Sequence, residues 1–138
     1  MFYRWRRQRQ QAVFSRRIAG ILETPPVQLK DAPWTIVSMV SDTDVLSYLL
    51  GIKSFYARLG AGKVVAIVAK RMPAQCIEQI KEHVRGIGIQ KIEEIDTGSC
   101  QRGGTWERLL YILENSVSEY TIQIDCDTLS FGEDISEI

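Results

Sequence analysis

The stretch Trp34-Thr35-Ile36-Val37-Ser38-Met39-Val40-Ser41-Asp42-Thr43 decides the fold, because a β-branched apolar run of strand length passes straight into helix-capping residues. Beyond it, Val45, Leu49, Ile52, Tyr56 and Leu59 recur on one helical face, so the unit reads as strand then helix. The unit then repeats. Gly60-Ala61-Gly62 makes a helix-to-strand turn, Val64 to Ala69 is a second buried strand, and Pro73 opens a helix that carries Ile77, Ile80 and Val84 and ends near Gly86. Ile89 to Ile95 is the third strand. A loop through Gly103-Gly104 then leads to Thr105, which caps a helix expected to turn Trp106, Leu109, Leu110 and Leu113 inward as core packing. Tyr120 to Ile124 is the fourth strand, so the order is β-α-β-α-β-α-β.

This alternation predicts an α/β fold: a Rossmann-like three-layer α/β/α arrangement with a mainly parallel sheet and helices on both faces. Ligands of such sheets bind beyond the carboxyl ends of the strands, where the strand order reverses. If strands one to three wind outward in one direction and strand four returns beside strand one, Ser41-Asp42 and Asp125-Asp127 line the same crevice.

Asp125-Cys126-Asp127 follows the fourth strand. Continued strand alternation turns Gln123, Asp125 and Asp127 to one side and Tyr120, Ile122 and Ile124 to the other, so both carboxylates emerge together. Two oxygen acids on one side of a strand end suit a hard divalent cation, Mn²⁺ or Mg²⁺, which completes its shell with water and substrate phosphate. The competing explanation is that acids collect wherever a strand turns toward solvent.

The 138 residues have room for one domain that buries roughly two thirds of its unfolded surface, and the 45% apolar composition supports an ordinary core. Seventeen basic residues balance seventeen acidic ones, yet the first twenty positions hold six arginines (Arg4, Arg6, Arg7, Arg9, Arg16 and Arg17) and no acid. Cys76, Cys100 and Cys126 are an odd number without metal-site spacing, which argues for a reducing compartment, with cytoplasm as the expectation. No apolar stretch approaches the ~20 residues that span a bilayer, and the arginine-rich start does not read as a secretory signal.

Residues 1–23 read as an Arg-rich helical leader, with Phe14, Ile18, Ile21 and Leu22 at helical spacing, and 24–33, which hold three of the four prolines, read as a linker. The domain proper is expected over 34–138. Arginines mixed with Phe2, Tyr3 and Trp5 can lie on an anionic membrane surface or touch nucleic acid. The preferred reading is a solvated helix face or mobile leader; peripheral membrane contact stays open and nucleic acid is not expected.

The segments Trp34 to Asp42, the long helix ending Tyr56-Ala57-Arg58-Leu59-Gly60, and Trp106 to Asn115 followed by Tyr120 to Leu129 together resemble the amino-terminal, donor-binding half of a GT-A type glycosyltransferase, a nucleotide-diphospho-sugar transferase-like domain. The resemblance runs from about Trp34 to Ile138, and its most specific part is the helix-strand-Asp-x-Asp block from Gly104 to Leu129. It implies a nucleoside-diphosphate sugar donor and an acceptor that the residues do not name. Val40, Ser41 and Asp42 would then hold the nucleoside, and Asp127 the metal directly. Asp125 would meet the ribose or the metal, and Arg108 would add charge near the phosphates. No catalytic base is implied by any residue present.

The chain departs from that family at Lys70-Arg71-Met72-Pro73, where relatives often carry acids that meet the nucleotide, and in having few residues after the Asp-x-Asp, so the reading expects a truncated domain. Two other readings stand beside it. One is a non-catalytic Rossmann-like nucleotide-binding or interaction domain. The other is a haloacid-dehalogenase-like phosphatase, because Asp125-Cys126-Asp127-Thr128 also resembles that family's nucleophile strand, with Asp125 attacking phosphorus and Asp127 as acid and base. His83 is the sole histidine and reads as a surface residue, while Cys126 lies between two acids that disfavour its thiolate. Gly60-Ala61-Gly62-Lys63 precedes a strand and so fails the context of a phosphate loop.

Overall fold

A computed structural model describes residues 10, 12–14, 16–103 and 105–132. Arg4, Arg6, Arg7 and Arg9, with Phe2, Tyr3 and Trp5, lie outside the described residues. Arg16 and Arg17 are exposed on a helical stretch that passes into a 3-10 turn at Ala19–Glu23, and Ile18 is buried while Ile21 and Leu22 pack against the core.

The chain is mixed α/β with parallel sheets. The strands are β1 (Val27–Gln28), β2 (Trp34–Val40), β3 (Lys63–Val68), β4 (Val84–Arg85), β5 (Gly88–Lys91) and β6 (Tyr120–Gln123). The helices are α1 (Val45–Leu59), α2 (Ala74–His83) and α3 (Trp106–Asn115). The main sheet has the order β5-β3-β2-β6, every pair parallel, with Ile36 aligned to Val64 on one side and to Ile122 on the other. The first three long strands therefore wind outward and β6 returns beside β2, which creates the reversal of strand order on which the shared crevice depends.

Period-2 alternation divides the core. Ile36, Val40, Val64, Ala66 and Val68 join one cluster with Tyr48, Leu49, Ile52 and Tyr56 of α1 and Ile80 of α2. Val37 and Ile67 join another, with Ile95 and with Tyr111 and Ile112 of α3. Gly60 ends α1 in the left-handed conformation (φ 80°), its N–H bonded to the Tyr56 carbonyl, so the Gly60-Ala61-Gly62 stretch is a helix-to-strand turn.

Several expectations need correction. Residues 24–33, read as a linker, contain β1, which pairs with β4, and Lys30 N–H donates to the Tyr56 hydroxyl at 2.7 Å. That pairing also explains why α2 stops at His83: Val84 and Arg85 are drawn into a strand opposite Val27 and Gln28. The third strand ends at Lys91 because its partner β3 ends opposite it at Val68, and Ile92–Glu94 turns instead. The largest correction concerns α3. Trp106, Leu109 and Leu113 face solvent, while the opposite face, with Glu107, Tyr111 and Ile112, meets the protein.

Candidate functional site

At the carboxyl ends of β2, β3 and β6 lies an open cleft of about 430 Å³ lined by Met39, Val40, Ser41, Asp44, Ala69, Ile92, Arg108, Asp125, Cys126 and Asp127. That is within the usual size range of small-ligand sites. Five of the residues singled out from sequence, Val40, Ser41, Arg108, Asp125 and Asp127, meet here. Asp42 stands on the same loop but does not line the cleft; its Oδ1 accepts the Thr43 N–H at 3.1 Å.

The two acids reach the cleft by a different route from the one expected. Strand pairing stops at Gln123, Ile124 N–H still reaches the Val37 carbonyl at 3.1 Å, and Thr128 N–H then closes a four-residue turn on the Asp125 carbonyl at 3.0 Å. The Asp-x-Asp is thus a turn beyond the strand, and the turn carries both carboxylates to the cleft.

Their surroundings differ. Asp125 Oδ1 accepts from the Arg108 guanidinium at 2.8 Å and from the Gln123 amide at 3.3 Å, whereas Asp127 is exposed and has no hydrogen-bond partner among the described residues. Arg108 reaches its acid from the first turn of α3, and its side chain is largely covered. Between the acids, burial first and then the charges of Asp44, Asp127 and Asp125 push the Cys126 thiol up, so the thiolate is disfavoured.

Two residues of the site were missed in sequence. Asp44 occupies the N-cap position of α1, yet its side chain bonds no helix N–H and instead takes the Ser41 hydroxyl into the cleft. Its signal was the three-residue spacing from Ser41. Gly51 lies inside α1 under the turn: a Cβ there would stand 2.6 Å from the Thr128 carbonyl oxygen and 3.6 Å from that of Cys126. One turn on, the Ser54 hydroxyl accepts the Ser130 N–H at 3.2 Å. The α1 surface therefore lies against the backbone of Cys126, Thr128 and Ser130.

Trp34 and Trp106 lie elsewhere. The Trp34 indole donates to the Ala61 carbonyl at 3.0 Å, at the amino end of β2, and Trp106 faces solvent on α3. His83 ends α2, where its Nδ1 lies 3.1 Å from Lys53 Nζ, outside the cleft. Lys70 and Arg71 are exposed just after Ala69, at the cleft's β3 side.

Among the described residues no group of three or more His, Cys, Asp or Glu side chains is arranged to hold a metal by itself. Asp44, Asp125 and Asp127 nevertheless line one cleft, and one or two carboxylates suffice for a cation whose remaining ligands are water and phosphate. Among the described residues no helix is long and apolar enough to cross a membrane. No protein-family model matches the chain, and no curated protein matches it.

Proposed function

We propose that the chain is the donor-binding portion of a metal-dependent, GT-A type glycosyltransferase, which holds a nucleoside-diphosphate sugar for transfer to an acceptor. The observation that carries this reading is the single cleft at the reversal of strand order, where the loop after β2 and the Asp-x-Asp turn after β6 stand side by side. The sheet, with α1 and α2 contributing to one core cluster and α3 to the other, is read as the Rossmann-like three-layer arrangement of such domains.

In this reading Val40 and Ser41 meet the nucleoside, with Asp44 taking the place first given to Asp42. Asp127 is the direct ligand of Mn²⁺ or Mg²⁺, with Asp125 beside it, because Asp127 has no hydrogen-bond partner among the described residues and Asp125 is already held by Arg108. When bound, the cation neutralises charge on the leaving diphosphate. Arg108 adds a guanidinium suited to phosphate oxygens. Cys76, Cys100 and Cys126 are free thiols, in keeping with a reducing, cytoplasmic setting.

The test is Asp127→Asn. The carboxylate is exposed on a turn, so the variant should melt as the parent does while metal-dependent nucleotide binding is abolished. Unchanged affinity would sink the assignment. A non-catalytic interaction domain is the second reading, favoured by the exposed apolar side of α3. It predicts no sugar transfer even where nucleotide binds.

A further inference from the structure

Residues 10, 12–14 and 16–18 are helical, and of these only Ile18 is buried. Phe14 stands four positions before Ile18, on the face that the spacing assigns to packing, yet it is 52% exposed and its neighbour Val13 46%. A packing helix would bury Phe14. A merely solvated one gains nothing from two adjacent large apolar side chains turned to water.

Arginines accompany them. Arg17 stands one turn on from both Val13 and Phe14, and Arg16 one turn on from Val13, all of them exposed. Among the described residues neither Arg16 nor Arg17 pairs with an acid. The preceding sequence is of the same kind, with Arg4, Arg6, Arg7 and Arg9 among Phe2, Tyr3 and Trp5. The first twenty positions hold no acid, while all seventeen acids and eleven of the seventeen basic residues follow, a formal charge of −6.

We propose that this segment docks on an anionic lipid surface, with Val13 and Phe14 entering the boundary between headgroups and acyl chains and Arg16 and Arg17 meeting lipid phosphates beside them. Arginine serves both zones, since its apolar stem lies along the boundary while the guanidinium reaches phosphate. Charge complementarity sets the sign of the partner. The exposed apolar pair sets its class, because lipid buries such side chains whereas the phosphates of a nucleic acid call for the arginines alone. The acidic remainder of the chain is repelled by the same surface, so approach is oriented with this segment foremost. The docking rests on neither the cleft nor its ligand.

The experiment is sedimentation of the full 138-residue chain with vesicles of phosphatidylcholine alone and with vesicles of equal parts phosphatidylcholine and phosphatidylserine. The expected result is binding to the mixed vesicles, weakened by salt, and none to the neutral ones. Arg16→Gln/Arg17→Gln and Val13→Ser/Phe14→Ser should each lower partitioning about tenfold or more. Both pairs are exposed, so circular dichroism should match that of the parent; if one variant misfolds, the other decides. A parent that ignores the mixed vesicles overturns the proposal, and RNA binding by such a chain would assign the segment to nucleic acid. Vesicle binding that either folded variant retains in full overturns it as well.

Discussion

The Arg108 guanidinium donates to Asp125 Oδ1 at 2.8 Å, joining the helix before β6 to the turn after it across the mouth of the cleft. Because Asp125 is largely exposed, the pair is worth under about 1 kcal/mol to the fold. Its value lies in placing a cation beside the acids where a diphosphate would sit.

Arg108→Ala should therefore leave the melting temperature almost unchanged and weaken nucleoside-diphosphate binding about tenfold, a loss of about 1.4 kcal/mol. Calorimetry on the folded variant reads this directly. Equal affinities in parent and variant would remove Arg108 from the site.

Gly51→Ala separates two opposing effects. Alanine is the better helix former by about 1 kcal/mol, so a helix-interior glycine with room around it is improved by the change. Here the new Cβ would meet the Thr128 carbonyl at 2.6 Å, and overpacking of this kind costs about 1–3 kcal/mol. The expected outcome is net destabilisation in urea together with weaker nucleotide binding, since the Asp-x-Asp turn must move. A stabilised variant with unchanged binding would show that the turn does not seat on α1.

His83 gives the fold a pH dependence. Burial first, then the positive charge of Lys53, lower its pKa from the ordinary 6.5, against a smaller opposing effect of Glu82. Its Nδ1 accepts from Lys53, which also holds the Thr24 and Pro25 carbonyls, and a proton on Nδ1 ends that bond. The unfolded imidazole thus takes its proton more readily than the folded one. Stability from this contact is complete above pH 6.5 and is lost as the pH falls from there through the lowered folded value. Urea midpoints of the parent should drop over that window, and those of His83→Asn, whose amide oxygen accepts from Lys53 without titrating, should drop less. Identical pH profiles would dismiss the contact.

Much of this was legible in sequence, for physical reasons that vary by residue. Trp34 to Val40 is a continuous apolar run and is buried on both faces as a central strand, and Val45 to Leu59 buries the helical face expected of it. The Asp-x-Asp and Ser41 are found from position alone, since both follow strands and the parallel order β3-β2-β6 puts both strand ends on one side. Asp44 was hidden because an acid at a helix start already has a structural explanation. Gly51 was hidden by the strength of the helical pattern around it, though an interior glycine itself signals a close neighbour. The facing of α3 was not readable. The apolar stripe of Trp106, Leu109, Leu110 and Leu113 predicts the opposite rotation to the one set by Tyr111 and Ile112 on the sheet, by Glu107 accepting the Gly103 N–H at 2.7 Å, and by Arg108 reaching Asp125.

The most direct test of the donor-site reading is calorimetric titration of the intact chain with UDP, GDP and CDP, first with Mn²⁺ and then with a chelator. The account predicts saturable binding of a nucleoside diphosphate that disappears when the cation is removed. Binding indifferent to the chelator, or none at all from a chain shown to be folded, would contradict it.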